Sequence, residues 1–128
     1  MMEEVSGEES SGKFLFIEAN GWFKEVEAKQ EDGSYLRQLQ KAVQGYIERV
    51  PCKMHENIDI WINEEGKLEG LDYNHAATVL STLEGEELLV GNAIVTQSDD
   101  ERNTKPLSFL HLAALKAKLA AIGFEEVD

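Results

Sequence analysis

Three consecutive segments decide the fold of this chain. They read Gly45-Tyr46-Ile47-Glu48-Arg49-Val50-Pro51, Ile58-Asp59-Ile60-Trp61-Ile62-Asn63-Glu64-Glu65-Gly66-Lys67-Leu68 and Leu71-Asp72-Tyr73-Asn74. In the second segment isoleucine occupies every other position, which is the period of a strand with one apolar face. The polar residues that follow this strand predict a tight turn, in which Gly66 supplies a positive φ. Asp72 or Asn74 is placed to cap a short helix that starts at His75.

The apolar periodicity on both sides of this block predicts five strands and three helices. Asn20-Gly21 is a strong hairpin signal, and Ser34 is expected to cap a helix that Gly45 ends in the left-handed conformation. The predicted order is β-β-α-β-β-α-β-α, over Lys13–Ala19, Trp22–Ala28, the helix from Ser34 to Gly45, Tyr46–Cys52, Asn57–Ile62, His75–Leu83, Leu88–Val95 and Phe109–Ile122. Because this order lacks sustained β-α-β alternation, we expect an α+β fold. Its antiparallel or mixed sheet of about five strands would carry the helices on one face.

Length and charge limit the organisation of the chain and its partners. The chain has 128 residues and a formal net charge of −13, and acidic residues cluster at both ends. We expect a disordered acidic tail over 1–12, a single domain over 13–123 and an acidic C-terminal tail over 124–128. The negative charge disfavours direct binding to nucleic acid or to an anionic membrane, and it favours a basic partner protein.

Several classes of protein are disfavoured by what the sequence lacks. It has neither a secretory signal nor an apolar run long enough to span a bilayer, and Cys52 is its only cysteine, so we expect a cytoplasmic protein. Dinucleotide-binding, phosphate-loop, nucleophile-elbow and paired-cysteine motifs are absent. His55, His75 and His111 lack the spacing of a helical metal site. We therefore expect no catalytic residue, no cofactor and no metal.

Two residues each allow two interpretations. Cys52 is either a structural cysteine, which we favour, or a reactive thiol that Lys53 and His55 would activate. Trp61 lies on the strand face opposite to the isoleucines. It belongs either to a second small core beneath a helix, which we favour, or to an exposed contact surface.

A series of short motifs between Gln38 and Val95 carries a family resemblance. The motifs are Leu39-Gln40, Val43-Gln44-Gly45-Tyr46-Ile47-Glu48, Val50-Pro51, Asn63-Glu64-Glu65-Gly66-Lys67-Leu68, Asn74 with Ala76 and Ala77, and Leu89-Val90-Gly91-Asn92-Ala93-Ile94-Val95. With these motifs the chain resembles a small domain family of unknown function found in bacteriophages, plasmids and bacterial genomes. Members of that family usually carry a second glycine at the position of Gln44. The resemblance implies an accessory protein of mobile elements and supplies no catalytic residues.

The polar residues of this block are either structural or part of a binding surface. We favour a structural role for Asn63 and Gly66, which form the turn, and capping by Asn74 would also be structural. The turn and the cap could equally lie side by side and bind a ligand or a partner. The candidate binding residues are Tyr46, Glu48, Trp61, Glu64, Glu65, Lys67, Tyr73 and Asn74.

Our leading hypothesis is a non-enzymatic acidic binding module of phage or mobile-element type. It would bind a host protein, as an inhibitor or as a mimic of nucleic acid. The first alternative is a protein that binds or sequesters a nucleotide. In that case Tyr46, Trp61 and Tyr73 would stack on the base, and Lys67 or Arg49 would contact a phosphate.

Three further possibilities stay open. One is an enzyme that uses Cys52 or the pair Glu48 and Glu65. Another starts from the last four residues, Glu125-Glu126-Val127-Asp128, which are identical to the C-terminal tetrapeptide that cytosolic heat-shock chaperones present to tetratricopeptide clamp domains. This motif would make the protein a chaperone-linked one. The third is a homodimer formed through the exposed strand edge at Tyr46–Cys52.

Overall fold

Segments with strand-like alternation pair into one mixed sheet that carries three helices. The computed structural model describes residues 7–128. Its strands are β1 (Ser10–Ile17), β2 (Trp22–Glu27), β3 (Ile47–Pro51), β4 (Ile58–Asn63), β5 (Ala93–Ser98), β6 (Thr104–Lys105), β7 (Leu107–Ser108) and β8 (Glu125–Glu126). Its helices are α1 (Leu36–Val43), α2 (His75–Leu80) and α3 (Phe109–Ala121). None of these helices is long and apolar enough to cross a membrane.

The strand order in the sheet is β3-β4-β5-β1-β2-β8, with β6 paired to β5 and β7 paired to β1. The pair β2–β8 is parallel, and the other pairs are antiparallel. The predicted α+β class, mixed sheet and three helices are therefore confirmed. The predicted number of about five strands is wrong, because the sheet formed by residues 7–128 has eight, and the element order differs accordingly. The additional strands β6, β7 and β8 have two residues each, which is too short for apolar alternation to reveal.

The two faces of the sheet are both covered. Ile58, Ile60 and Ile62 of β4 lie in the main core, which also contains buried residues of α2 and α3. On the opposite face, Phe14 and Ile94 form a second core with α1, and the half-buried Trp61 packs against it. The expectation that all helices pack on one face is wrong for α1. The alternation within β4 is confirmed, and so is the placement of Trp61 in a second small core.

The sheet begins earlier than the sequence predicts. Residues 10–12 were expected in the disordered tail 1–12, but they belong to β1. Just before this strand, the carbonyl of Glu9 accepts a 3.0 Å hydrogen bond from the N–H of Phe109, at the start of α3. Met1–Ser6, the rest of the predicted tail, lie outside the described residues.

The last residues also differ from a free tail over 124–128. Glu125 and Glu126 form β8, which lies beside β2. The N–H of Val127 donates to the carbonyl of Phe23 at 2.8 Å. Backbone pairing with β2 therefore holds three residues of the chaperone-like tetrapeptide against the sheet.

Both ends of α1 lie within a residue or two of their predicted positions. Tyr35 is the residue before the helix, and the hydroxyl of Ser34 accepts a 3.1 Å hydrogen bond from the N–H of Leu36. At the other end Gln44, not Gly45, adopts the left-handed conformation, with φ 62° and ψ 41°. The prediction for Gly45 is therefore wrong by one residue, and Gly45 is required for a different reason, which lies in its contact with Asn63.

Candidate functional site

The turn after β4 is attached to the end of α1 by the side chain of Asn63. Its amide nitrogen donates to the carbonyls of Val43 and Gln44, at 3.1 and 3.3 Å, and its amide oxygen accepts from the N–H of Glu65 at 2.8 Å. A Cβ atom on Gly45 would lie 2.6 Å from this amide nitrogen. Asn63 is buried, so the structure agrees with the structural role favoured for it.

Gly66 is structural as well, but not for the predicted reason. Its φ angle is not positive. A Cβ atom at this position would lie 2.9 Å from a methyl group of Val90 and 3.3 Å from the carbonyl oxygen of Asn63. The turn thus requires glycine because the chain segments approach closely, and the predicted positive φ is wrong.

Asn74 connects α2 to β1 and to the segment that precedes β5. Its side-chain oxygen accepts from the N–H of Ala77 at 2.9 Å, which caps the helix as predicted. Its amide nitrogen donates to the carbonyls of Ile17 and Gly91, at 3.3 and 2.8 Å. The residue is 0 % exposed, so a partner cannot reach it. Its inclusion among the binding residues is therefore corrected to a structural role.

A small cleft opens beside the turn, between the segments 64–68 and 87–90. We call it the turn cleft. Its volume is about 150 Å³, and it is lined by Glu48, Ile62, Asn63, Glu64, Lys67, Leu68, Glu87, Leu88 and Val90. The ammonium of Lys67 donates to a carboxylate oxygen of Glu87 at 2.5 Å across the two segments. Two apolar side chains of the lining project into solvent: Leu68 is 89 % exposed and Leu88 is 57 % exposed.

The structure brings several of the predicted binding residues together. Glu48, Glu64 and Lys67 line the turn cleft. Tyr46 is 69 % exposed, and its carbonyl accepts from the N–H of Glu64 at 2.9 Å, so it lies at the margin of the cleft. Glu65 is exposed in the same turn.

Trp61 and Tyr73 lie elsewhere. Trp61 is on the α1 face, where its indole N–H donates to the hydroxyl of Thr96 at 2.8 Å. Tyr73 stacks on His75 with ring centroids 5.7 Å apart, and His75 in turn contacts the ring of Phe124 edge-on at 5.4 Å. The three aromatic residues of the nucleotide hypothesis, Tyr46, Trp61 and Tyr73, therefore do not share one pocket, because Trp61 occupies the opposite side of the sheet.

Glu87 and Leu88 are cleft residues that sequence reasoning missed. They reach the turn from a segment 20 residues further along the chain. The available signal was Glu86-Glu87-Leu88-Leu89, in which one of two adjacent leucines must point away from the core if the segment is extended. Leu89 is buried and Leu88 is exposed.

The structure shows a buried environment for Cys52. Burial raises the pKa of its thiol, although the backbone N–H groups of Met54 and His55 act in the opposite direction. A thiol with a raised pKa is protonated at neutral pH and is a weak nucleophile. This environment fits the structural interpretation of Cys52 better than the reactive one.

Two histidines that are distant in sequence lie close together. The rings of His55 and His111 are 4.6 Å apart, and Nδ1 of His111 lies 2.8 Å from the side-chain oxygen of Gln97. Burial lowers the pKa of His111, and the neighbouring His55 lowers it further. Residues 7–128 contain no group of three or more His, Cys, Asp or Glu side chains that could hold a metal ion.

The C-terminal acidic residues are held by an ion-pair network. Lys116 of α3 contacts the carboxylates of Glu25 and Glu126, at 2.5 and 2.8 Å. These hydrogen bonds, that of Glu126 first, raise the pKa of the Lys116 ammonium. A clamp domain would have to displace Glu126 from Lys116 and β8 from β2 to bind the tetrapeptide.

Comparison with known proteins places the chain in a family. A family model described as a domain of unknown function (DUF3846) matches residues 12–118. The chain belongs to this family. The DUF3846 match includes the turn cleft and the α1 face of the sheet, and it ends before β8. No curated protein and no solved structure matches the chain significantly.

Proposed function

We propose that this DUF3846 protein is a non-enzymatic binding module whose turn cleft binds a basic, partly apolar segment of another protein. The observation that carries the proposal is the pair of exposed leucines, Leu68 and Leu88, within an acidic rim. An exposed apolar patch with a polar rim is the usual composition of a protein interaction site. The mobile-element setting implied by the sequence resemblance would make the partner a host protein.

The charge of the cleft supports a basic partner. Its lining contains the carboxylates of Glu48, Glu64 and Glu87 and the ammonium of Lys67. Lys67 pairs with Glu87, whereas no cation of residues 7–128 forms an ion pair with Glu48 or Glu64. These two carboxylates remain available for lysine or arginine side chains of a partner.

The rest of the surrounding surface has the same sign. Glu65 and Glu69 are exposed in the turn segment, and Glu86 is exposed next to Glu87. Charges of one sign around a cleft attract a partner of opposite charge and accelerate association at low ionic strength. The acidic rim would therefore guide the approach of a basic segment, and the two leucines would hold it.

Strand β3 offers backbone groups next to the cleft. It is the terminal strand of the sheet order and pairs with β4 on one side only. The C-terminal end of β3 is blocked for further strand pairing, since Pro51 has no N–H and the bridge between Cys52 and Ser81 covers that end. An extended partner segment could add to the open part of the edge, Ile47–Val50, and place its side chains over Glu48.

The experiment is a selection of binding peptides from a random library, with the intact protein as the target. We expect enrichment of segments in which Lys or Arg flanks a large apolar residue. Binding of a selected peptide should weaken as ionic strength rises. Its amide chemical-shift changes should map to Glu64, Lys67 and Leu88.

Matched variants separate the cleft from general surface effects. The double variant Leu68→Ser/Leu88→Ser should weaken binding of the selected peptide about tenfold or more, since it removes both apolar anchors. Leu110→Ser is the control, because Leu110 is 58 % exposed on α3 and does not line the cleft. Peptides without basic residues, or equal losses in the control and the double variant, would refute the proposal.

A further inference from the structure

A second cavity lies on the α1 face, away from the turn cleft. We call it the α1 groove. Its volume is about 530 Å³, and its lining includes Tyr35, Leu36, Ile47, Trp61, Arg102 and Lys105. Pockets that bind small organic ligands have volumes of roughly 300–1,000 Å³. The groove is therefore large enough for a ligand of the size of a nucleotide.

The charge of the α1 groove is opposite to that of the chain as a whole. The formal net charge is −13, yet the lining contains Arg102 and Lys105 and no Asp or Glu. In one adjoining pocket, Asp59 is paired with Arg49 at 2.5 Å. In another, Arg102 lies beside Glu56, Asp99 and Asp100, and Lys105 interacts electrostatically with Asp99. Within the groove itself, an anion would contact Arg102 and Lys105 without meeting a carboxylate of the lining, which favours its binding there.

Arg102 keeps donors available for such an anion. One nitrogen of its guanidinium contacts the hydroxyl of Ser98 and the carbonyl of Glu56, at 3.3 and 3.4 Å. A guanidinium has five N–H donors in a planar fork that matches a phosphate or a carboxylate. The exposed Lys105 ammonium forms no ion pair among residues 7–128.

The aromatic residues of the groove are held in fixed orientations. The indole N–H of Trp61 is bonded to Thr96 at 2.8 Å. Tyr35 packs edge-on against the buried Phe14, with ring centroids 5.1 Å apart. Both rings are half-buried and leave part of their surface to the groove. Rigid rings of this kind stack on planar ligands at a low entropic cost.

We propose that the α1 groove binds a nucleoside monophosphate. The base would stack on the ring of Trp61 or Tyr35, as bases do on aromatic platforms. The phosphate would bind Arg102 and Lys105. The site is independent of the turn cleft, because Trp61 and Ile62, which line the two cavities, point to opposite faces of β4.

Tryptophan fluorescence tests the proposal in a Trp22→Phe background, where Trp61 is the only tryptophan. The probes are the common ribonucleoside 5′-monophosphates, the matching nucleosides and inorganic phosphate. We expect saturable quenching of Trp61 emission by at least one monophosphate. The nucleoside and phosphate alone should each bind at least tenfold more weakly.

Charge variants separate a site from general attraction of anions. Arg102→Gln and Lys105→Gln should each weaken binding of the monophosphate about tenfold. Lys118→Gln is the matched control, because Lys118 is exposed on α3 and does not line the groove. It changes the net charge by the same amount and should leave binding within twofold.

Two outcomes would overturn the proposal. One is the absence of saturable quenching with every monophosphate, together with unchanged chemical shifts for the Trp61 indole and the Thr104 amide. The other is an equal loss of affinity in Lys118→Gln and Arg102→Gln. Far-ultraviolet circular dichroism of each variant confirms that a loss of binding does not reflect a loss of fold.

Discussion

The polar residues of the block Gly45–Asn74 resemble one another in sequence, but the structure divides them into two groups. Asn63 and Asn74 are 3 % and 0 % exposed, and their side chains satisfy backbone groups of several segments. Glu48 and Glu64 are exposed and form no ion pair within residues 7–128. The two amides therefore maintain the geometry of the block, while the carboxylates of Glu48 and Glu64 are free to contact a partner.

Removal of a buried amide tests the structural group and should have the largest effect. Asn74→Ala would delete the cap of α2 and remove the side-chain hydrogen bonds to the buried N–H of Ala77 and to the carbonyls of Ile17 and Gly91. Loss of a cap costs about 1 kcal/mol, and each buried polar group left unsatisfied costs about 1–3 kcal/mol. We expect the free energy of unfolding to fall by about 3 kcal/mol or more, as measured by urea denaturation.

Asn20→Ala is the control for this substitution. Asn20 is exposed in the β1–β2 turn, where its side chain makes one long contact of 3.4 Å with Glu18. Its replacement should change the free energy of unfolding by less than about 0.5 kcal/mol. Similar losses at the two positions would show that burial does not distinguish the two groups of polar residues.

The close contact of Gly45 with Asn63 gives the next largest effect. In Gly45→Ala the new methyl group would lie 2.6 Å from the amide nitrogen of Asn63, which three hydrogen bonds of that side chain hold in place. Overpacking of this kind costs about 2 kcal/mol. Thermal and urea denaturation should show a loss of that size.

A double-mutant cycle assigns this loss to the contact. When Asn63→Ala is already present, the clashing amide is absent, and Gly45→Ala should cost less than about 0.5 kcal/mol. Additive losses would mean that Gly45 is required for its own backbone and not for Asn63.

Local periodicity explains why part of the fold could be predicted. Burial on one face selects isoleucine at every second position of β4, and the cap of α2 needs Asn74 directly before the helix. The ends of α1 were harder to predict. A glycine at position 45 is compatible with a left-handed conformation and equally with a close contact to another segment. The short strands β6, β7 and β8 depend on neighbours that are distant in sequence.

The candidate sites could be predicted only in part, because both are assembled by tertiary contacts. Glu64 and Lys67 were found from the turn, but Leu88 joins them from another segment. In the α1 groove, Trp61 comes from β4, whereas Arg102 and Lys105 come from a polar loop and β6. No sequence pattern connects these residues, since the order of strands in the sheet determines which loops meet.

Replacement of the left-handed residue at the end of α1 should have a smaller effect on the free energy of unfolding, and this effect should be stabilising. Gln44 has φ 62°, a conformation that costs a residue with a Cβ atom about 1 kcal/mol relative to glycine. Gln44→Gly keeps the carbonyl that accepts from Asn63. It should raise the free energy of unfolding by about 0.5–1 kcal/mol, as measured by urea denaturation.

Lys41→Gly provides the contrast, because Lys41 is exposed within α1 and has helical backbone angles. Glycine there should lower the free energy of unfolding by about 1 kcal/mol. Destabilisation by both substitutions would show that Gln44 contributes more through its side chain than it costs through its backbone.

Removal of an exposed carboxylate should have the smallest effect on the free energy of unfolding, but a clear effect on binding. Glu64→Gln removes a charge that no cation of residues 7–128 pairs with. The free energy of unfolding should therefore change by less than about 0.5 kcal/mol. Binding of a basic peptide selected on the turn cleft should weaken and become less sensitive to salt, because one attractive charge is lost.

Glu27→Gln, on the exposed end of β2, is the control. If it weakened binding as much as Glu64→Gln, net charge and not the cleft would account for the attraction. A loss of stability above about 1 kcal/mol in Glu64→Gln would instead place Glu64 with the two asparagines.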